Sequence, residues 1–156
     1  ETGVAEERPQ VAAVFVNRLR EGMRLQSDPT IIYGITLGQS TLDRGLRRSE
    51  IDKATPYNTY QIDGLPPTPI ANPGIEALEA VAHPDDHNYL YFVAKGASPR
   101  DGHVFAETYA EHQQNVARYR EIEAAADRDA EAARKALEAE EAEQAPETPA
   151  AEGASQ

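Results

Sequence analysis

The sequence predicts an α+β fold: a small sheet, a hairpin near residues 89–105, packed with several short helices and followed by an acidic tail. Apolar residues recur at helical spacing in three segments, and the run from Tyr89 to Val93 is strongly β-forming. All ten aromatic residues lie at or before Tyr119. We therefore expect a globular unit over residues 1–120 and an Ala- and Glu-rich segment, helical and then disordered, over residues 121–156.

Caps and chain breakers place the elements of the N-terminal half. Residues 1–5 are expected to end one helix, and a second is predicted from Pro9 to Arg20, because proline suits a first helical position. Within it, apolar residues form an amphipathic stripe: Val11, Val14, Phe15 and Leu19. The remaining predictions are a short strand over 23–27, a helix over 30–34 capped by Asp28, and a helical turn over 49–53.

The C-terminal half is predicted in the same way. Alternation over 57–62 suggests an extended segment, and the proline density of 64–69 predicts a rigid loop. A helix is expected over 74–82. Residues 88–94 are predicted to form a central buried strand that returns over 103–105 after a glycine-containing loop. A final helix is predicted from residue 107 to about 126, with a solvated continuation to about 143 and disorder over 144–156.

Charge and composition exclude several classes of function. The net charge is −12, of which residues 1–120 carry −4 and residues 121–156 carry −8, and no basic stripe suggests a nucleic-acid partner. The absence of cysteine excludes disulfides, thiolate zinc sites and a cysteine nucleophile. The four histidines lack ligand spacing, so no metal is expected, and His103 is interpreted as a structural residue.

Ten short sequence blocks, in order, resemble the YceG-like (MltG) endolytic murein transglycosylases. The most informative are Glu1-Thr2-Gly3-Val4-Ala5-Glu6-Glu7-Arg8, Gln26-Ser27-Asp28-Pro29-Thr30, Tyr57-Asn58-Thr59-Tyr60 and Gly64-Leu65-Pro66-Pro67. The block that contains Gln26 begins at residue 22, and six further blocks lie at 14–19, 32–34, 70–74, 82–84, 89–93 and 102–105. No single block is decisive, but the ordered set is specific and covers about residues 1–119.

The resemblance implies an enzyme that cuts the glycan strands of peptidoglycan and needs no cofactor. One carboxyl group, carried over to Glu1 because a small hydroxyl residue follows it, would act as general acid and then as general base. The product would be a 1,6-anhydro-muramic acid end. The resemblance also implies the periplasmic side of the bacterial inner membrane, with an anchor helix and a further domain before Glu1. It implies peptidoglycan synthases and the division machinery as partners, and a role in terminating nascent glycan strands.

Two other carboxylates are candidates for a second catalytic group, Glu7 and Asp28. A hydrolase would need such a group about 5–10 Å from the acid, whereas the lyase reaction would not. The simpler interpretation of Glu7 is an ion pair with an arginine or a cap of the Pro9 helix. The simpler interpretation of Asp28 is a helix N-cap.

A glycan site needs amides and carboxyls for sugar hydroxyls and aromatic faces for the rings. The predicted substrate-binding residues are Gln26, Ser27, Asp28, Tyr33, Tyr57, Asn58, Thr59 and Tyr60. Core packing is an alternative for Tyr33, and turn formation is an alternative for Asn58 and Thr59. Residues 64–67 either form a wall of the cleft or are a structural loop.

Two alternatives to the lyase stay open from the sequence. The first is a muramidase-type hydrolase with Asp28 or Glu7 as its second carboxylate. The second is a non-catalytic module that binds peptidoglycan or assists its assembly.

Overall fold

The computed structural model describes residues 2–98 and 100–144. A 3-10 helix at Ala5–Glu7 leads into α1, Arg8–Arg20, which is followed by α2, Asp28–Thr36, and α3, Arg48–Ile51. The C-terminal half contains α4, Ile75–Ala82, the strands β1, Tyr91–Ala94, and β2, His103–Ala106, and the long helix α5, Tyr109–Gln144. This α+β arrangement confirms the predicted fold class.

The β1–β2 hairpin organises the packing of the helices. The strands pair in antiparallel register, with Phe92 opposite Phe105. α5 contacts both strands, while α1 contacts β1 on one side and α4 on another. The buried apolar core is small and centres on α1, with contributions from four other segments: Val11, Ala12, Ala13, Val14, Leu25, Ile31, Ala80 and Ala106.

Three helices agree closely with the sequence-based prediction. The predicted Pro9–Arg20 helix is α1 with proline in its first turn, and the predicted 74–82 helix is α4 with Gly74 as its N-cap. The predicted final helix and its solvated continuation form one helix, α5. In the described part of the chain no helix combines the length and the apolarity needed to cross a bilayer.

Other local predictions were wrong. Residues 2–4 are not helical, and residues 23–27 and 57–62 form no strand; the latter consist of turns because Asn58 bonds back to the preceding backbone. Within the described residues β1 pairs with β2 alone and all its residues are half-buried, so it is an outer strand of a hairpin and not a central one. The N-cap of α2 is Ser27, and Asp28 is its first helical residue. Disorder was predicted over 144–156; Gln144 is instead the last residue of α5, and residues 145–156 lie outside those described.

Candidate functional site

A polar pocket of about 220 Å³ lies between α1, the chain before α2, and β1. We call it the polar pocket; it is lined by Phe15, Arg18, Leu25, Gln26, Ser27, Asp28, Tyr60 and Phe92. Four of the predicted substrate-binding residues therefore line one concave surface: Gln26, Ser27, Asp28 and Tyr60. The pocket offers amide, hydroxyl, carboxylate and guanidinium groups beside three aromatic rings, which is the chemistry that sugar recognition requires.

The wall formed by residues 26–28 is fixed by two buried threonines. The Gln26 N–H donates to the Thr59 carbonyl at 3.1 Å, and the Ser27 N–H donates to Thr59 Oγ1 at 2.9 Å. Thr30 Oγ1 lies 2.8 Å from Thr59 Oγ1. These bonds hold Gln26 at φ 52°, a left-handed conformation that is uncommon for a residue other than glycine. Thr59 thus shapes the pocket from behind.

Arg18, for which no role was predicted from the sequence, closes the other side of this wall. Its Nε donates to the Leu90 carbonyl at 2.6 Å, and one of its terminal nitrogens donates to the Leu25 carbonyl at 2.8 Å. Its guanidinium also lies 5.2 Å from the centre of the Tyr91 ring. The helical spacing nevertheless indicated that Arg18 is directed inward, because it falls on the same stripe as Val11 and Val14.

Asn58 is completely buried, and its side chain forms hydrogen bonds with backbone groups. Its Nδ2 donates to the carbonyls of Ile51 at 2.9 Å and Lys53 at 2.7 Å, and its Oδ1 accepts the Tyr60 N–H at 2.9 Å. Neither Asn58 nor Thr59 has any exposed surface. Their complete burial does not agree with the prediction that they contact substrate; it agrees with the alternative of turn formation. They hold the chain that presents Tyr60 to the polar pocket.

The two predicted tyrosines outside the polar pocket, Tyr33 and Tyr57, pack on each other. Their ring centres are 5.0 Å apart, and Tyr57 Oη lies 2.8 Å from Thr68 Oγ1 in the proline-rich loop. Gly34 permits this packing, since a Cβ there would lie 3.2 Å from Tyr57 Cβ. The pair therefore joins α2 to the proline-rich loop.

Asp28 and Tyr60 form the polar rim of the pocket. Tyr60 Oη donates to Asp28 Oδ1 at 2.7 Å, and Asp28 is exposed. Of the two candidate second carboxylates, Asp28 is thus the one that lines the pocket.

The proline-rich loop forms a second, apolar pocket of about 480 Å³ that adjoins the first. We call it the apolar pocket; it is lined by Phe15, Leu25, Ser27, Thr30, Leu65, Pro66, Pro67, Thr68, Pro69 and Ile70. Phe15, Leu25 and Ser27 line both pockets. One cleft therefore has a polar end and an apolar end, and the proline-rich loop is a wall of it.

Glu7 lies behind the cleft and is bonded to the hairpin. Its carboxylate accepts the His103 N–H at 2.9 Å and contacts His103 Nδ1 at 2.9 Å. Burial raises the pKa of Glu7, but the hydrogen bonds from His103 outweigh it and hold the pKa below its usual value of 4.5. A lowered pKa does not suit a general acid. Glu7 pairs with His103, not with an arginine, and its side chain does not cap α1.

The candidate acid, Glu1, lies outside the described residues. The next residue, Thr2, lines a pocket of about 250 Å³ together with α1 and α4, to which Phe15 of the cleft also contributes. Among the described residues, no three acidic or histidine side chains are placed to hold a metal ion. His103 has the structural contacts expected of it.

Comparisons with known proteins are consistent across sequence and structure. The YceG-like family matches residues 1–118. An endolytic murein transglycosylase of Bacillus subtilis (strain 168) is 44% identical over 114 residues, covering 72% of this chain and 29% of that protein. One of Streptococcus pneumoniae (serotype 2, strain D39) is 35% identical over 120 residues, covering 73% of this chain and 20% of that protein.

A solved structure is similar to this chain in fold. The putative yceG-like protein of Listeria monocytogenes matches with a TM-score of 0.59 and 38% identity, over 67% of this chain and 32% of that one. The chain thus spans less than a third of the length of each of these relatives.

Proposed function

The chain belongs to the YceG-like family, and from that premise we propose that it is the glycan-binding and catalytic part of a lytic peptidoglycan transglycosylase. The observation that carries the proposal is the cleft, in which Gln26, Ser27, Asp28 and Tyr60 meet at a polar end beside an apolar one. The names of the bacterial relatives support peptidoglycan as the substrate.

The proposed reaction uses Glu1 as its single acid and base. The Glu1 carboxyl donates its proton to the glycosidic oxygen, so that the bond from this oxygen to the anomeric carbon of muramic acid breaks. The carboxylate then takes the proton of the C6 hydroxyl on the same residue while that oxygen bonds to the anomeric carbon. The products are a new sugar hydroxyl end and a 1,6-anhydro-muramic acid end, and no water is consumed.

The polar pocket orients the glycan for this step. Asp28 accepts hydrogen bonds from sugar hydroxyls, the Gln26 amide bonds an N-acetyl group, and Phe15 and Phe92 offer ring faces. Since Tyr60 and Thr59 hold Asp28 and Gln26 in place, the recognition surface is formed before the glycan binds.

The biological setting follows the family. We propose an extracytoplasmic position on the inner membrane, reached through an N-terminal anchor. We further propose termination of nascent glycan strands beside peptidoglycan synthases and the division machinery.

The test is a digest of purified peptidoglycan by the natural full-length protein, with Glu1→Gln alongside and Glu6→Gln as the matched control. Glu6 is exposed and carries the same charge. We expect anhydro ends from the parent and from Glu6→Gln, and a loss of at least about 100-fold in Glu1→Gln, because general acid–base catalysis contributes about that factor or more.

Mass spectrometry separates the alternatives, because an anhydro end is one water lighter than a reducing end. Reducing ends from the parent would contradict the lyase and favour a hydrolase that uses Asp28 or Glu7. Glycan binding without cleavage by the parent would favour a binding module. Normal anhydro formation by Glu1→Gln would exclude Glu1 as the acid.

A further inference from the structure

The Glu7 carboxylate is held at one place by groups distant in sequence. It accepts the backbone N–H of His103 at 2.9 Å and the Thr2 hydroxyl at 3.3 Å, and it lies 2.9 Å from His103 Nδ1. An ionised carboxylate can only accept hydrogen bonds, so Nδ1 carries the proton in this contact. The side chains of Glu7 and His103 are only 18% and 13% exposed. The cluster therefore joins the N-terminal segment, residues 2–7, to the start of β2.

The hairpin is shaped to admit this carboxylate. Gly102 is buried and has φ +77°, and a Cβ at this position would collide with the Glu7 carboxyl group. The residue before His103 thus both requires a left-handed backbone and leaves no room for a side chain. A surface ion pair formed by chance would not need such space, and its side chains would be more exposed.

The cluster lies directly behind the cleft. The His103 ring packs edge-on against Phe92 at 5.2 Å, and Phe92 packs edge-on against Phe15 at 5.9 Å. Both phenylalanines line the polar pocket. On its other side the cluster holds Thr2, whose hydroxyl also accepts the Val4 N–H at 3.0 Å. One set of contacts therefore fixes both the floor of the cleft and the residue that follows Glu1.

We propose that Glu7 and His103 are positioning residues of the proposed reaction. They hold residues 2–7 against the hairpin, and so they fix the backbone segment that directly follows the proposed acid, Glu1. This role rests on the proposed function. It assigns Glu7 an ionised, hydrogen-bond-accepting task in place of proton transfer, and it gives His103 a task beyond filling the core.

The test uses three variants of the natural full-length protein, assayed on soluble glycan strands. His103→Ala removes the ring contact to Glu7, while His103→Asn keeps an N–H donor close to the place of Nδ1. His87→Ala is the matched control, because His87 also bonds to backbone, with its Nε2 3.1 Å from the Gln10 carbonyl and its Nδ1 3.1 Å from the Tyr89 nitrogen, but touches neither Glu7 nor Thr2.

We expect kcat of His103→Ala to fall about 10- to 100-fold, with KM changed less than about twofold, because small misplacement of a reacting group has effects of this size. The kcat of His103→Asn should lie within about threefold of the parent value. His87→Ala should lower the melting temperature and leave kcat of the folded protein unchanged. In Glu7→Gln, amide hydrogen exchange at Val4 and Glu7 should become faster.

Different results overturn different claims. An unchanged kcat in folded His103→Ala, with cleavage by the parent, would overturn the positioning role alone. If His103→Ala does not fold, unchanged kcat and unchanged hydrogen exchange in Glu7→Gln would overturn it equally. A parent protein that forms no anhydro ends would overturn the proposed function and this role with it.

Discussion

Two regions of the molecule use hydrogen bonds of the same length in different ways. Behind the polar pocket, Asn58 Nδ2 donates to the Lys53 carbonyl at 2.7 Å, and Asn58 is fully buried. In the outer part of α5, residues 127–140, Lys135 Nζ lies 2.7 Å from Glu131 Oε1, and their side chains are 67% and 57% exposed. The two contacts are equally long, but they differ in their access to water.

The physical reason is whether water can solvate each group once its hydrogen bond is lost. A Lys135 ammonium without Glu131 is still solvated, so an exposed pair at i and i+4 adds at most a few tenths of a kcal/mol. The Asn58 side chain is fully buried, so the backbone groups bonded to it face the protein interior, where each group left unpaired costs about 1–3 kcal/mol. Four variants test this contrast, and they follow in order of decreasing expected loss of stability.

Asn58→Ala should have the largest effect on stability. It removes the Asn58 partner of the Lys53 carbonyl and the Tyr60 N–H, and it leaves the Ile51 carbonyl with the Gln61 amide alone. We therefore expect the free energy of unfolding to fall by about 3–4 kcal/mol. The measurement is urea denaturation. The matched control is Gln114→Ala, an exposed amide on α5 that should change it by less than about 0.5 kcal/mol. Similar losses in the two variants would contradict the contrast.

Gly102→Ala should cause the second-largest loss of stability. Gly22→Ala separates the two causes of that loss, which are backbone strain and the collision with Glu7. Both glycines have positive φ, +77° and +68°, but a Cβ at Gly22 meets nothing within 4 Å while one at Gly102 meets Glu7. We expect about 1 kcal/mol from backbone strain at Gly22 and about 2–3 kcal/mol at Gly102. Thermal unfolding of both variants measures the difference. Equal losses would mean that the Glu7 carboxylate moves aside without cost.

Glu7→Gln should cost about 1–2 kcal/mol at neutral pH, in the range of a hydrogen bond to a charged group. The folded-state pKa of Glu7 lies below its ordinary value of 4.5, because the hydrogen bonds from His103 outweigh the effect of burial. Its stabilisation is therefore complete above pH 4.5 and is lost as the pH falls through the folded-state pKa. The gap between parent and variant should narrow below pH 4.5 in denaturant titrations. A gap that widens there would contradict the ionised form.

Lys135→Ala should have the smallest effect. It removes the exposed pair with Glu131, and we expect the free energy of unfolding to change by less than about 0.5 kcal/mol. Added salt should reduce even this difference, because exposed charges are screened. Urea denaturation at two salt concentrations gives the result, and a loss above about 1 kcal/mol would show that the outer part of α5 is more tightly packed than its exposure indicates.

The sequence predicted the elements whose signals are local. The α1 stripe, its first-turn proline and the two strand segments of the hairpin each depend on residues within a few positions of one another. The extended segment predicted over 57–62 was wrong, because Asn58 bonds to carbonyls five to eight residues earlier and folds the chain into turns. The same signal in the side chains, alternation of polar and aromatic residues, suits a strand and a turn equally.

The site was predictable in part for the same reason. Gln26, Ser27, Asp28 and Tyr60 line the polar pocket, and their chemistry was visible in the sequence. Burial decided that Asn58 and Thr59 lie behind the pocket, and nothing local to residues 57–60 distinguishes them from Tyr60. Arg18 carried a visible signal, since a charged residue on an apolar helical stripe is directed inward.

The α+β fold, the family resemblance and the kinds of polar group available to the proposed glycan site could all be inferred from the sequence. The packing of distant segments determines which polar side chains face the cleft and which hold its walls. It also brought Glu7 to His103, 96 residues later, at a glycine that leaves room for a carboxylate. Hydrophobic periodicity and caps act over one or two turns of chain, whereas the pairing of buried polar groups depends on where distant segments meet.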